Sequence, residues 1–159
     1  MFQIGDKVVH PLHGAGVITD LVERTIDGAG ATYYALTLAM DETQLFIPID
    51  ACEKLGIRPV CSRAEAEEFV RGLDSVTCGE DKGWNQRYRE NMLHLRSGDL
   101  HEVAQVIKSL AARNRERGLS TGEKKMLASA RQILESELAY ALDSSAQEIA
   151  ALVEKHLCQ

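Results

Sequence analysis

Apolar residues along this chain follow two different periods, and the change between them falls near residue 60. Before it, short β-branched and aromatic runs are cut by glycine and aspartate: Lys7-Val8-Val9, Gly16-Val17-Ile18, Tyr33 to Leu38, and Leu45-Phe46-Ile47-Pro48. Runs of this length and spacing predict short strands that curl into a small barrel. Asp27-Gly28-Ala29-Gly30 separates two of them, and its glycines accept the positive φ that a hairpin connection demands. Pro48 belongs at a strand end or on a sheet edge, because it has no amide to donate.

From Ser62 onward the apolar positions step by three and four. Val103, Val106, Ile107 and Leu110 predict one helix, Leu127, Ile133, Leu134 and Leu138 a second, and Ile149, Leu152 and Val153 a third. Ser62-x-x-Glu65, Asp99-x-x-Glu102, Ser120-x-x-Glu123 and Ser145-x-x-Glu148 each mark a helix start at which a side-chain oxygen accepts from an orphan amide and a carboxylate reaches back. Gly98 and Gly118 supply stops. The chain therefore reads as α+β: a β module over residues 1–58, then a bundle of about five helices over 62–159, with a connection at about 74–83.

Composition adds little to this and charge adds much. With 159 residues, 45% hydrophobic and 26% charged, the chain has apolar material for one ordinary domain or two small ones. No run approaches the roughly 18 apolar residues of a membrane span, and MFQIGDKVVH lacks the pattern of a secretory signal, so a cytoplasmic protein with no membrane partner is expected. Cys52, Cys61, Cys78 and Cys158 form no CxxC pair, which indicates neither a zinc site nor a redox motif. The net charge of −6 argues against nucleic acid, yet it averages three unlike blocks. Residues 1–81 carry 6 basic against 14 acidic side chains, residues 82–131 carry 11 against 5, and residues 132–159 carry 1 against 5. The positive charge is concentrated in one third of the chain.

A search for catalytic sets finds no phosphate-binding loop, dinucleotide turn, HExxH or nucleophile elbow. His10 and His13 bracket a proline without further ligands, and Glu65, Glu67 and Glu68 fit the solvated face of an amphipathic helix. No catalytic residue, metal or cofactor is expected. The basic block holds two clusters. In the first, Trp84, Tyr88, Met92 and Leu95 share one helical face, which argues for burial of the ring. Its place in the first turn after Gly83 argues for protrusion. In the second, Arg113, Arg115, Arg117, Lys124 and Lys125 surround the start of a helix, where cations and free amides suit phosphate oxygens or simply make a solvated loop.

Five segments resemble the CarD/CdnL family of bacterial transcription regulators: FQIGDKVVHPLHGAGVI, LFIPID, EKLGIR, WNQRYRENMLHLRSGDL and RNRERGLSTGEKKMLASARQILESELA. They span nearly the whole chain in the family's order. The first module also resembles the RNA polymerase interaction domain of the transcription-repair coupling factor. The resemblance implies a Tudor- or SH3-like module that binds the β-subunit lobe of RNA polymerase, partly by strand addition. It also implies a helical domain that contacts promoter DNA at the upstream edge of the transcription bubble, in a monomer associated with the nucleoid through polymerase. Arg24, Phe46 and Ile47 match the polymerase-contacting positions; Phe46 stands where some members place a basic residue, so an apolar contact would replace a salt bridge. Trp84 matches the tryptophan that wedges into the minor groove where the duplex opens, and Arg87 and Arg89 match DNA-backbone positions. Gln86 stands where some relatives are basic, and Lys124 and Lys125 belong to the basic face. The implied activity is stabilisation of the open promoter complex without chemistry. A protein-only adaptor, whose helices bind a second protein, and a small enzyme built on the histidines or the glutamates are the other classes.

Overall fold

The computed structural model describes residues 1–79 and 82–159. Strands β1 (Lys7–His10), β2 (Gly14–Ile26), β3 (Ala29–Leu38), β4 (Gln44–Pro48) and β5 (Arg58–Pro59) form one antiparallel sheet in the order β4-β3-β2-β1-β5. The expected barrel does not close: the sheet is open, with β4 on one edge and β5 on the other. Other segments cover the apolar face that closure would have covered. Phe2 exchanges backbone hydrogen bonds with the Tyr34 hydroxyl at 2.9 and 3.0 Å. Cys52 of the one-turn helix α1 (Cys52–Leu55) and Ile57 pack with Val8, Ile18, Tyr34 and Leu36. Pro48 ends the edge strand β4.

The β2–β3 hairpin turns on Asp27 (φ 52°) and Gly28 (φ 80°). Consecutive positive φ values are the signature of the two-residue turn that matches strand twist; an aspartate, in place of one of the anticipated glycines, takes the first of them. A register shift between Ile18 and Asp20 inserts Thr19 as a bulge. Beyond it Asp20, Val22 and Arg24 share the sheet face of Tyr33, Ala35 and Phe46.

Helices α2 (Arg63–Arg71), α3 (Trp84–Arg96), α4 (Leu100–Arg117), α5 (Thr121–Leu142) and α6 (Ala146–Leu157) follow. Only Ser62 closes a full capping box; Ser120 and Ser145 each accept from the amide three residues on, and Asp99 accepts from His101. Leu73, just before the expected connection, is buried; within the connection, the Val76 carbonyl accepts from Lys108 Nζ at 2.6 Å and the Gly79 amide donates to Ser109 Oγ at 2.7 Å. Glu80 and Asp81 of that connection lie outside the described residues.

Helix α5, roughly 33 Å long at about 1.5 Å per residue, touches β1, β2, α2, α3, α4 and α6. Both faces of β1 are consequently buried: Val8 belongs to the sheet core, whereas Val9 and Ala15 join Ile133, Leu134 and Leu138 in the helical core. The sheet thus has its own apolar core and contributes Val9 and Ala15 to the core of the helices. Gly14, at φ 92°, lies so close to α5 that a Cβ there would stand 2.8 Å from Ser136 Oγ, and the Ala15 amide donates to that oxygen at 2.8 Å. Beside it the fully buried carboxylate of Glu137 accepts both terminal nitrogens of Arg58 at 2.6 Å and the Cys61 amide at 2.9 Å. Burial alone would lower the Arg58 pKa, but the hydrogen bonds and charge of Glu137 outweigh it and hold the pKa above its ordinary value. The planar fork of arginine matches two carboxylate oxygens, and this pair fixes the sheet against α5.

Candidate nucleic-acid interface

The stripe Trp84, Tyr88, Met92 and Leu95 is buried in a gradient. Leu95 is 3% exposed, Tyr88 and Met92 are half-buried, and Trp84 is 47% exposed. The gradient settles the two opposed expectations: α3 packs through its C-terminal part, and its first turn extends past the core. Gly83, the N-cap, offers no side-chain acceptor to the helix start. The ring is nonetheless held. It stacks on Tyr88 with centroids 5.3 Å apart and planes 19° from parallel. Its Nε1 donates to Ser120 Oγ at 3.5 Å, which places the start of α5 beside it.

The surrounding cations divide into two groups. Arg89 on α3 and Lys124 and Lys125 in the first turn of α5 are exposed, and none of the three carries an ion pair among the described residues. Arg89 Nε donates to the Asn85 carbonyl at 3.4 Å. Arg87, expected as a DNA-backbone contact, faces the protein interior. Its side chain is 12% exposed, Nε donates to Glu123 Oε2 at 3.1 Å and Nη1 donates to the Lys82 carbonyl at 2.8 Å. Here the guanidinium faces inward onto a buried carboxylate and joins α3 to α5. Arg113 also faces Glu123, at 3.9 Å, and Arg115 donates to the Cys158 carbonyl at 2.7 Å. The second basic cluster is therefore partly neutralised by the protein itself.

Gln86 is exposed and donates to Glu90 Oε1 at 3.3 Å, where Lys82 also binds at 2.9 Å. The Lys82 hydrogen bond, supported by Gln86, holds the Glu90 carboxyl below its ordinary range. Sequence patterns did not single out Ser120, Tyr88 and Glu123 as one group. Ser120 and Glu123 matched a capping box, but the Glu123 carboxylate, 3% exposed, turns to Arg87 instead of the N-cap amide. No spacing rule relates residues of two helices.

On the sheet, Arg24 lies over the Phe46 ring with Cζ 4.8 Å from its centroid, and Phe46 is 42% exposed. They share the uncovered face beside the free edge of β4. Ile47, expected at the same contact, is 5% exposed and packs in the sheet core, because alternation on β4 turns it inward as it turns Phe46 outward. Only its backbone is on the edge.

The other candidates remain apart from these surfaces. His10 and His13 have ring centroids 4.6 Å apart, and the Leu12 amide donates to His10 Nδ1 at 3.1 Å. Burial, with the charge of His13 second, pushes His10 down to about 4, which keeps it neutral near pH 7. No group of three or more His, Cys, Asp or Glu among the described residues is placed to hold a metal. Glu65 closes the Ser62 box and Glu67 pairs with Arg63 at 3.1 Å. Burial, and then Glu137, push the Cys61 thiol up to about 12.

Two families match the two halves of this arrangement: the CarD-like/TRCF RID domain over residues 2–61, and the CarD C-terminal domain over residues 69–154. A Bacillus subtilis protein named "Putative transcription factor YdeB" is 32% identical over 138 residues, covering 87% of this chain and 90% of its own. The transcription-repair-coupling factors of Mycobacterium bovis and Mycobacterium tuberculosis are 35% identical over 78 residues, which is 44% of this chain and 6% of theirs. With both halves matched in order, and a relative aligned along most of both chains, this chain belongs to the CarD family.

Proposed function

We propose that the protein is a transcription regulator that binds the β-subunit lobe of bacterial RNA polymerase through its sheet and promoter DNA at the upstream edge of the bubble through its helices, and thereby stabilises the open complex. The observation that carries this is Trp84: a half-exposed ring, stacked on Tyr88 and flanked by Arg89, Lys124 and Lys125. An aromatic face offered beside unpaired cations suits a base step that has lost its stacking partner, with the cations on nearby phosphates. Such a ring gains its partner only when the duplex is open, so its binding energy favours that state and shifts the equilibrium by the difference in affinity. With few unpaired cations and a net charge of −6, affinity for DNA alone is weak. Attachment to polymerase supplies the local concentration, which is of millimolar order for a short tether.

The tether is the open edge of β4 with Arg24 and Phe46 beside it. A partner strand added there takes its affinity from backbone bonds and its specificity from those two side chains. Replacing Phe46 with aspartate is expected to weaken capture of the full-length chain by RNA polymerase at least about tenfold, as loss of one central aromatic contact does, without changing thermal stability. Equal capture of parent and variant by purified polymerase would remove this surface from the account. The protein-only adaptor also draws on an observation, the engagement of Arg87, Arg113 and Arg115 within the protein. It predicts polymerase capture with no footprint on promoter DNA, and footprinting of the ternary complex separates the two.

A further inference from the structure

We infer that Glu123 is a positioning residue that orients Trp84 through the Ser120 hydroxyl. The inference rests on Trp84 being the ring presented to DNA, and Glu123 itself does not face the DNA. A carboxylate 3% exposed is costly to bury unless it is paired. Glu123 is paired on both oxygens, with Arg87 at Oε2 and with Ser120 and, at 3.9 Å, Arg113 at Oε1. Arg87 Nε donates to Oε2 at 3.1 Å and, through Nη1, binds the Lys82 carbonyl just before α3. Ser120 Oγ lies 3.3 Å from Oε1.

The serine hydroxyl has one proton and two lone pairs. An ionised carboxylate only accepts, so the Ser120 proton points at Glu123. The lone pairs are then left for the Glu123 amide, at 3.2 Å, and the Trp84 indole, at 3.5 Å. The charge on Glu123 therefore determines that Ser120 is an acceptor for the indole, while the Arg87 bridge sets the distance between α3 and α5. Tyr88 supports the ring from its face and lies 3.7 Å from where a Cβ on Gly122 would stand, so the stack itself leans on the first turn of α5. Glutamine at position 123 keeps the volume but presents an amide donor to Ser120, which competes for the lone pair the indole uses.

Because Trp84 is the only tryptophan, intrinsic fluorescence reports this ring alone. The test compares the full-length parent, Glu123→Gln, Ser120→Ala and Ser120→Thr by tryptophan anisotropy, acrylamide quenching and open-complex lifetime. Glu123→Gln and Ser120→Ala are expected to lower anisotropy and raise quenching with the far-ultraviolet circular dichroism unchanged. The protein concentration needed for half-maximal lengthening of open complexes is expected to rise about tenfold, the order expected for one charge-assisted hydrogen bond. Ser120→Thr, which keeps the hydroxyl, is expected to match the parent. Parental anisotropy and quenching in folded Glu123→Gln would overturn the inference. Should that variant fail to fold, parental values in Ser120→Ala, where the Arg87 ion pair is intact, would do the same. Altered fluorescence with no change of lifetime, in a setting where Trp84→Ala also leaves lifetime unchanged, supports the positioning role and removes the DNA-facing role of the ring.

Discussion

A Trp84→Ala protein is expected to fold and to capture RNA polymerase like the parent chain, while losing most of its effect on open-complex lifetime. The stability side of this expectation follows from exposure. Removal of a fully buried aromatic costs about 3 to 5 kcal/mol, but Trp84 is 47% exposed and its main support is the Tyr88 stack. Such a stack is worth about 0.5 to 1.5 kcal/mol beyond area burial, so a loss of about 1 kcal/mol in chemical denaturation is expected. The functional side follows from what the ring meets. Stacking on an unpaired base contributes about 1 to 3 kcal/mol, which corresponds to roughly 5- to 150-fold in an equilibrium. The effect on lifetime should therefore be far larger than the effect on folding. A destabilisation of 3 kcal/mol or more on the same scale, with lifetime altered only in proportion to the unfolded fraction, would place Trp84 in the core.

The second large effect lies at the junction of sheet and helices. Glu137→Ala is expected to cost about 3 kcal/mol, at the lower end of the range for breaking a buried ion pair. It strands the Arg58 guanidinium and the Cys61 amide, both of which Glu137 accepts. The lower end applies because the Arg58 side chain is 27% exposed, which gives it partial access to water once its partner is gone. Replacing Arg58 and Glu137 together by methionine removes both charges and is expected to recover much of the loss, as hydrophobic replacements of buried pairs often do. Urea denaturation of the three proteins measures this. A cost below about 1 kcal/mol for Glu137→Ala would mean that the pair contributes no more than a surface pair.

That junction also explains what the residue pattern left hidden. Strand and helix positions were legible because each is a local property: short β-branched and aromatic runs are bounded by turn residues, and Val103, Ile107 and Leu110 step by a helical turn. Closure of the sheet is not local. Phe2 and the segment from Cys52 to Ile57 cover its core face, and no period in the sequence announces that. Arg58 and Glu137 are far apart in sequence and meet only because α5 lies across β1 and β2. The same holds at the candidate interface. Trp84, Arg89, Lys124 and Lys125 were accessible to pattern and resemblance, because exposed cations and a helix-start aromatic are visible residue by residue. Arg87 stands near Arg89 in sequence, but helical geometry turns it onto Glu123, a contact that residue order alone does not announce. The Ile47 side chain turns into the sheet core because alternation on β4 makes Phe46 its outward neighbour.

Val9 and Ala15 are covered by helical residues, so the sheet packs directly against the helices. Under the proposed function, this packing would lower the ordering cost of presenting the ring to DNA once polymerase holds the β4 edge. It also makes the full-length chain, rather than an isolated sheet, the suitable object for every binding experiment, because the separated sheet would expose Val9 and Ala15.

The most direct measurement of the central claim is the lifetime of open complexes on a native promoter after a competitor challenge, with and without the full-length protein at a concentration that saturates polymerase. The account predicts a longer lifetime with the parent chain and a lifetime near that of polymerase alone with Trp84→Ala bound to the same extent. Equal lifetimes with and without the parent chain, while it is bound to polymerase, would contradict it.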